Sequence, residues 1–384
     1  MRNFTFCTTK LIVNEKGGLS RIAEFVAGLN GKRVLIVTDK GVIAAGHYDR
    51  LAQCLSNAGI ACCQYQDIVP DPSEQMVYSA AEVGRRNDVD CIIGIGGGSS
   101  LDVAKAVSVI SQTQNRLDEI FGIEKVTGFR LPLILIPTTA GTGSEVTYSS
   151  VITAADGKKK VVISNKLYAD VALLDVELSS TMPPLVAATT GMDAIVHAVE
   201  AYTSVNKKNP ISDMLAIEAL KLLIGNIEPA VKEANNWEAK SCMLLGSMMA
   251  GQAFSNSSVS SVHGFAYPLG ELFHLPHGLA NALMISPIMK FNAPGASNLY
   301  GAIGKTLFKD IAGGSDEEAT ACLIQRIDGI IASLDLNKRL RDFGVKESAV
   351  QELAKGAYSQ ERLNSNNPRE IQLEDALAIY TAVF

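Results

Sequence analysis

No two of the seven cysteines are spaced CxxC, and their odd number cannot close a disulfide framework, so neither a cystine-stapled fold nor a zinc knuckle is indicated. No apolar run approaches the length of a membrane span. The opening MRNFTFCTTKLIV has no continuous apolar stretch followed by a small-residue site, which predicts no secretory signal. Basic residues are scattered, with KKK at 158–160 the only run, and the net charge is -6; both argue against nucleic acid or an anionic membrane as the main partner. Internal repeats and low-complexity segments are missing too. These absences predict a cytoplasmic protein that works on small molecules. What is present is an ordinary globular composition, 47% hydrophobic and 19% charged. At 384 residues the chain exceeds one ordinary core, and two domains are expected.

The first half alternates short β-branched runs with helical patterns. VLIVTD (34–39), ACCQYQ (61–66), DCIIGIG (90–96) and LPLILIP (131–137) read as strands, which predicts a parallel sheet covered on both faces. Cys91 and the pair Cys62 and Cys63 read as small apolar packing residues within strands. From about residue 183 the periodicity is helical without convincing strand runs, and MPP at 182–184 reads as a hinge. The expected division is an α/β nucleotide-binding domain over 1–182 and an all-helical domain over 183–384.

In GIGGGSSLDVAKA (94–106), a strand end, three glycines and a helix start make a cradle for a pyrophosphate. Ser99 and Asp102 also fit a capping box, which would leave both with a purely structural task. Asp39 closes an earlier strand, so the order of glycines and acid is reversed from the usual dinucleotide fingerprint. A carboxylate there suits the adenosine ribose of NAD and repels a 2'-phosphate; it equally suits a helix cap. PTTAGTGSE (137–145) places Thr138, Thr139 and Thr142 in a polar loop after a strand, either for cofactor contact or as a hydrogen-bonded turn.

GMDAIVHAVEAY (191–202) sets Asp193 and His197 four residues apart, on one helix face and a turn apart. His263 and His277 follow downstream. One carboxylate and three imidazoles are a ligand set for a divalent transition metal if the fold brings them together. Otherwise they are a helical Asp–His pair and two loop histidines with unrelated hydrogen bonds.

Taken together, GGGSxxDxAK (96–105), PTTAGTGSEVT (137–147), GMDAIVHAVEAY and VHGFAYPLGxxFHLPHGLANAL (262–283) resemble the iron-dependent, group III alcohol dehydrogenases of the lactaldehyde reductase and 1,3-propanediol dehydrogenase type. The motifs match in order and spacing from Asp39 to NPRE at 367–370. The resemblance implies an architecture like that of dehydroquinate synthase: an N-terminal α/β domain holding NAD and an all-α C-terminal domain. It implies metal ligands at Asp193, His197, His263 and His277, and cofactor contacts from Asp39, Gly97, Gly98, Ser99, Thr138, Thr139, Thr142 and Lys160. Iron(II) is the implied ion, and zinc binds such nitrogen and oxygen ligands at least as tightly.

Propanediol-oxidising relatives often carry a second histidine where this chain has Tyr267. Tyr267 is therefore read either as a ligand hydrogen-bonder with a weak claim to proton relay or as an aromatic packing element. His274 is read as cleft-lining or solvent-facing and able to shuttle protons, and His47 as a surface residue. The expected substrate wall comprises Ser149, Phe254, Val259, Tyr267 and Leu363, suited to a small primary alcohol or aldehyde. The expected enzyme is a homodimeric, metal-dependent, NAD-linked alcohol dehydrogenase. A dehydroquinate-synthase-like lyase would need cations for a phosphorylated substrate, and no Lys or Arg lies between Lys240 and Lys290. A glycerol-dehydrogenase-like enzyme would have a smaller ligand set, against which His277 speaks. A non-enzymatic NAD- and metal-binding scaffold is the remaining alternative.

Overall fold

The computed structural model describes residues 3–111 and 115–384. The chain forms two compact units, one spanning Cys7–Met182 and the other Pro183–Phe384, to which residues 3–6 also belong.

In the first unit, β1 (Leu11–Asn14), β2 (Arg33–Asp39), β3 (Ala61–Ile68), β4 (Cys91–Gly96), β5 (Gly122–Ile123), β6 (Leu133–Pro137), β7 (Ser149–Thr153), β8 (Lys159–Ile163) and β9 (Val171–Leu174) make two sheets. The larger is parallel, with strand order β1-β9-β6-β4-β2-β3. Its central strands are buried on both faces because alternate residues feed two cores. Leu35, Val37, Ile92, Leu133 and Leu135 enter one, while Val34, Ile36, Ile93, Ile95, Ile134 and Ile136 enter the other. The chain steps from β2 outward to β3 and then returns across β2 to lay down β4. The carboxyl ends of β2 and β4, where Asp39 and Gly96 lie, therefore flank a topological switch point, the place where open α/β sheets bind ligands.

The four strands read from the sequence are present. The short edge strand β1, its neighbour β9 and the second sheet, β5-β8-β7 with its antiparallel β7–β8 pair, were not anticipated. Two local expectations are corrected. Cys62 is exposed rather than packed, because β3 is the outer strand of its sheet. His47 is buried rather than on the surface: it opens the His47–Asn57 helix and its Nε2 lies 2.9 Å from the Thr181 hydroxyl. Burial pulls its pKa below the ordinary imidazole range.

Among the described residues the second unit has no strand. Its principal helices are Pro184–Thr203, Pro210–Lys232, Trp237–Ser257, Ser261–Phe273 and His277–Leu307. Pro184 occupies the first turn of its helix, where its missing N–H costs nothing, so the MPP sequence starts the helix that carries Asp193 and His197. The Tyr380 hydroxyl donates to the Phe265 carbonyl at 2.6 Å, and the two rings stack at 5.2 Å, which pins the His263-bearing helix to the last helix of the chain.

Candidate active site and metal centre

The nucleotide-side residues are joined by hydrogen bonds of their own. Asp39 caps the helix Lys40–Ala44, its Oδ1 accepting from the N–H groups of Gly41 at 2.9 Å and Val42 at 3.1 Å. Its Oδ2 accepts from the Ser100 hydroxyl at 3.0 Å. Gly96 adopts φ 151°, and a Cβ there would lie 2.6 Å from Ser100 Oγ and 2.9 Å from Asp39 Oδ2, so the turn admits only glycine. The Thr138 N–H donates to the Gly96 carbonyl at 2.9 Å, bringing the threonine loop to the glycine turn.

The helix Gly98–Ile110 starts from an extended Gly97 with no side-chain cap, so the capping box of Ser99 and Asp102 is not formed. Asp102 instead accepts from the Ser144 hydroxyl at 2.6 Å and the Val151 N–H at 2.9 Å. Lys105, fully buried, donates to Ser144 Oγ at 2.7 Å, Thr147 Oγ1 at 2.9 Å and the Ser149 carbonyl at 2.8 Å, and lies 3.2 Å from Asp102 Oδ1. Burial lowers its pKa, and Asp102 opposes that. The neighbouring Glu145 is buried as well, and desolvation pushes it up to about 7. Lys160 pairs with Asp156 at 3.0 Å, over the Phe121 ring, in a cavity of about 570 Å³ lined also by Glu74, Tyr78 and Arg116.

In the helical unit the four candidate ligands converge. One donor atom from each of Asp193, His197, His263 and His277 lies within 4.8 Å of the others. His277 is the first residue of its helix, and His263 lies in the first turn of the preceding one; neither is a loop residue. Asp193, His197 and His263 are buried and His277 is partly exposed. The His197 ring stacks on the phenyl ring of Phe254, at 4.4 Å, and on the imidazole of His263, at 4.7 Å. Burial draws the His197 pKa down to about 4, so it is a neutral donor at pH 7. Desolvation disfavours the charge on Asp193, yet the three histidines and Asn281 outweigh it and hold the carboxyl below its usual range. A buried anion facing three imidazole nitrogens is a fit donor set for a divalent transition ion.

Two residues missed in the sequence complete this centre. Glu200 Oε2 lies 2.6 Å from His263 Nδ1, while the carboxylate also accepts from Ser260 N–H, Ser260 Oγ and Val262 N–H. That carboxylate orients His263 with Nε2 toward the other ligands. Asn281 places its Nδ2 2.6 Å from Asp193 Oδ1. Both carry a spacing signal: Glu200 lies three residues after His197 and Asn281 four after His277. The His277 end of its helix approaches Asp193 closely because Gly278 lies against the Thr189 carbonyl, where a Cβ would come within 2.3 Å of the oxygen.

Of the expected substrate wall, Val259 and Leu363 are buried, Phe254 stacks on His197, and Tyr267 stands 6.0 Å from the His277 ring. Ser149 offers its carbonyl to Lys105 within the α/β unit. His274 is exposed and ends its helix in the left-handed region. A third residue missed in the sequence is Arg362, whose charge lies near enough to the Tyr267 hydroxyl to favour its ionised form; burial nonetheless leaves the Tyr267 pKa raised. It supplies a cation from outside the stretch 241–289, which has no Lys or Arg.

Residues 9–176 match the family described as iron-containing alcohol dehydrogenase, and residues 187–384 match the Fe-containing alcohol dehydrogenase family, C-terminal. The chain is 37% identical to long-chain-alcohol dehydrogenase 1 of Geobacillus thermodenitrificans (strain NG80-2), over 96% of this chain and 93% of that one. It resembles the crystal structure of a 1,3-propanediol oxidoreductase with a TM-score of 0.96 and 32% identity, each chain covered completely. It also resembles the sulfoacetaldehyde reductase of Bifidobacterium kashiwanohense, solved in complex with NAD+, with a TM-score of 0.91 and 28% identity over 100% of this chain and 99% of that one. With both halves of the sequence matched and the four donors brought together, the chain belongs to the iron-containing alcohol dehydrogenase family, whose members are NAD-linked oxidoreductases of alcohols and aldehydes.

Proposed function

We propose that this protein interconverts a short primary alcohol and its aldehyde with NAD, using iron(II) held by Asp193, His197, His263 and His277. The convergence of those four side chains within 4.8 Å carries the reading. When bound, the ion supplies Lewis acidity at the substrate oxygen and NAD supplies the redox chemistry. Zinc competes for the same donors, so the metal found on purification depends on supply.

On the cofactor side, Asp39 is assigned to the adenosine ribose. Its carboxylate opposes a 2'-phosphate, which favours NAD over NADP. The uncapped start of the Gly98–Ile110 helix, with Gly97, Gly98 and Ser99, suits a pyrophosphate. Thr138, Thr139, Thr142 and Lys160 are assigned to further contacts. Burial makes Tyr267 a proton holder rather than a base at neutral pH, so its assigned task is to hydrogen-bond and orient. His274, exposed at its helix end, is assigned proton exchange with solvent.

Phe254, Val259 and Leu363 favour a short apolar chain on the substrate. A second reading is favoured by Arg362 beside Tyr267: a short aldehyde bearing an acid group, as in the name of the sulfoacetaldehyde reductase relative. The test is a panel of alcohols and aldehydes, neutral and acid-bearing, with NAD and NADP and with iron(II) added anaerobically. Turnover of neutral substrates with NAD is the expected result, and no turnover across the panel overturns the proposal. If acid-bearing aldehydes lead, Arg362→Ala should raise their KM by about tenfold and leave neutral substrates unchanged.

The same reading puts the enzyme in the cytoplasm as a homodimer. Seven cysteines that form no disulfide among the described residues and the place of β1 at the end of its sheet support it, and light scattering tests the dimer.

A further inference from the structure

We propose that Asn281 is a positioning residue that fixes the rotation of the Asp193 carboxylate and thereby sets how tightly the chain holds its divalent ion. Asn281 is fully buried and lies one helical turn beyond His277 on the same helix. Its Nδ2 sits 2.6 Å from Asp193 Oδ1, 3.2 Å from His277 Nε2 and 3.3 Å from His263 Nε2, so the amide reaches three of the four ligands.

Charge decides which end of the amide faces the cluster. Turned end for end, the amide would bring its oxygen up to a carboxylate oxygen, acceptor against acceptor. With the nitrogen toward Asp193, Oδ1 is a buried acceptor with no hydrogen-bond partner among the described residues. An unpaired interior acceptor is unfavourable, so the orientation is held by what the N–H gains at the ionised Asp193. Asp193 is thereby locked at one oxygen. Asn281 does for the carboxylate ligand what Glu200 does for His263, and the two supports come from different helices.

The inference rests on the four residues being metal ligands. Metal-free protein is titrated with cobalt(II), whose visible absorption reports both occupancy and coordination, beside NAD affinity and the metal-free melting temperature. Asn281→Ala should weaken cobalt binding by about 10- to 100-fold, with the band shape, NAD affinity and metal-free melting temperature unchanged. Asn281→Ser, which keeps a small polar side chain, should do the same and serves if the alanine variant does not fold. Wild-type affinity in both variants overturns the proposal, as does an equal loss of metal-free stability. A changed band shape overturns it in favour of a direct ligand. Failure of the wild-type protein to bind cobalt defeats the metal reading itself.

Discussion

In the α/β unit the buried ammonium of Lys105 meets three oxygen acceptors and Asp102 within the chain, and buried Glu145 is pushed toward its neutral form. In the helical unit two buried carboxylates, Asp193 and Glu200, stay ionised beside histidines, one of which is held neutral. The first region has settled its charges internally, with the buried hydroxyls of Ser144 and Thr147 turned to Lys105. The second keeps negative charge and lone pairs turned toward one another, an arrangement that a cation relieves. One half is thus built to be complete without its ligand, and the other is built around one.

Removing a metal ligand should separate the halves most sharply. His277→Ala is expected to lower bound metal and turnover by at least about a hundredfold while NAD affinity is retained, as read by elemental analysis and fluorescence titration. Parallel loss of NAD affinity would show that the two halves do not work independently.

In metal-free protein acid should act with opposite sign at Glu145 and at the histidine cluster of the helical unit, while buried His47, with its lowered pKa, works against Glu145 in the α/β unit. His197 has a folded-state pKa of about 4 against an ordinary imidazole value of 6.5, so the unfolded chain binds the proton first and stability falls as pH drops through that window. The lowered pKa values of Asp193 and Glu200 add to the loss at lower pH. Glu145 has a folded-state pKa of about 7 against 4.5, so its contribution is full below 4.5 and is lost as pH rises to 7. Hydrogen exchange at pH 7 and pH 5 should show the Pro184–Thr203 helix losing protection on acidification and β6 gaining it. Equal changes in both would remove the contrast.

The smallest effect is expected at Tyr267. Tyr267→Phe should keep turnover within about threefold, because a phenol raised above its ordinary pKa is a poor base at neutral pH. A hundredfold fall in turnover with metal content and NAD affinity intact would make the hydroxyl a proton carrier.

The contrast also explains what the sequence made legible. Asp193 and His197 announce themselves by helical spacing, and the glycine turn by its composition, because those signals are local. Glu200, Asn281 and Arg362 are ordinary polar residues until the fold sets them beside His263, Asp193 and Tyr267. Asp39 proved a helix cap, as its residue type allowed, and the same carboxylate reaches Ser100 through a contact that spans 61 positions of sequence. β1 and β9 escaped notice because strands of four residues leave too little alternation to read. His47 was misread because a lone histidine at a helix start says nothing of which way its first turn faces.

The contact at Gly278 gives the candidate metal centre a mechanical stop. Two ligand-bearing helices meet there backbone to side-chain-free backbone, so the gap between His277 and Asp193 is gauged by main-chain atoms that cannot change rotamer. An added carbon at position 278 would force the two backbones apart, and Asp193 and His277 with them.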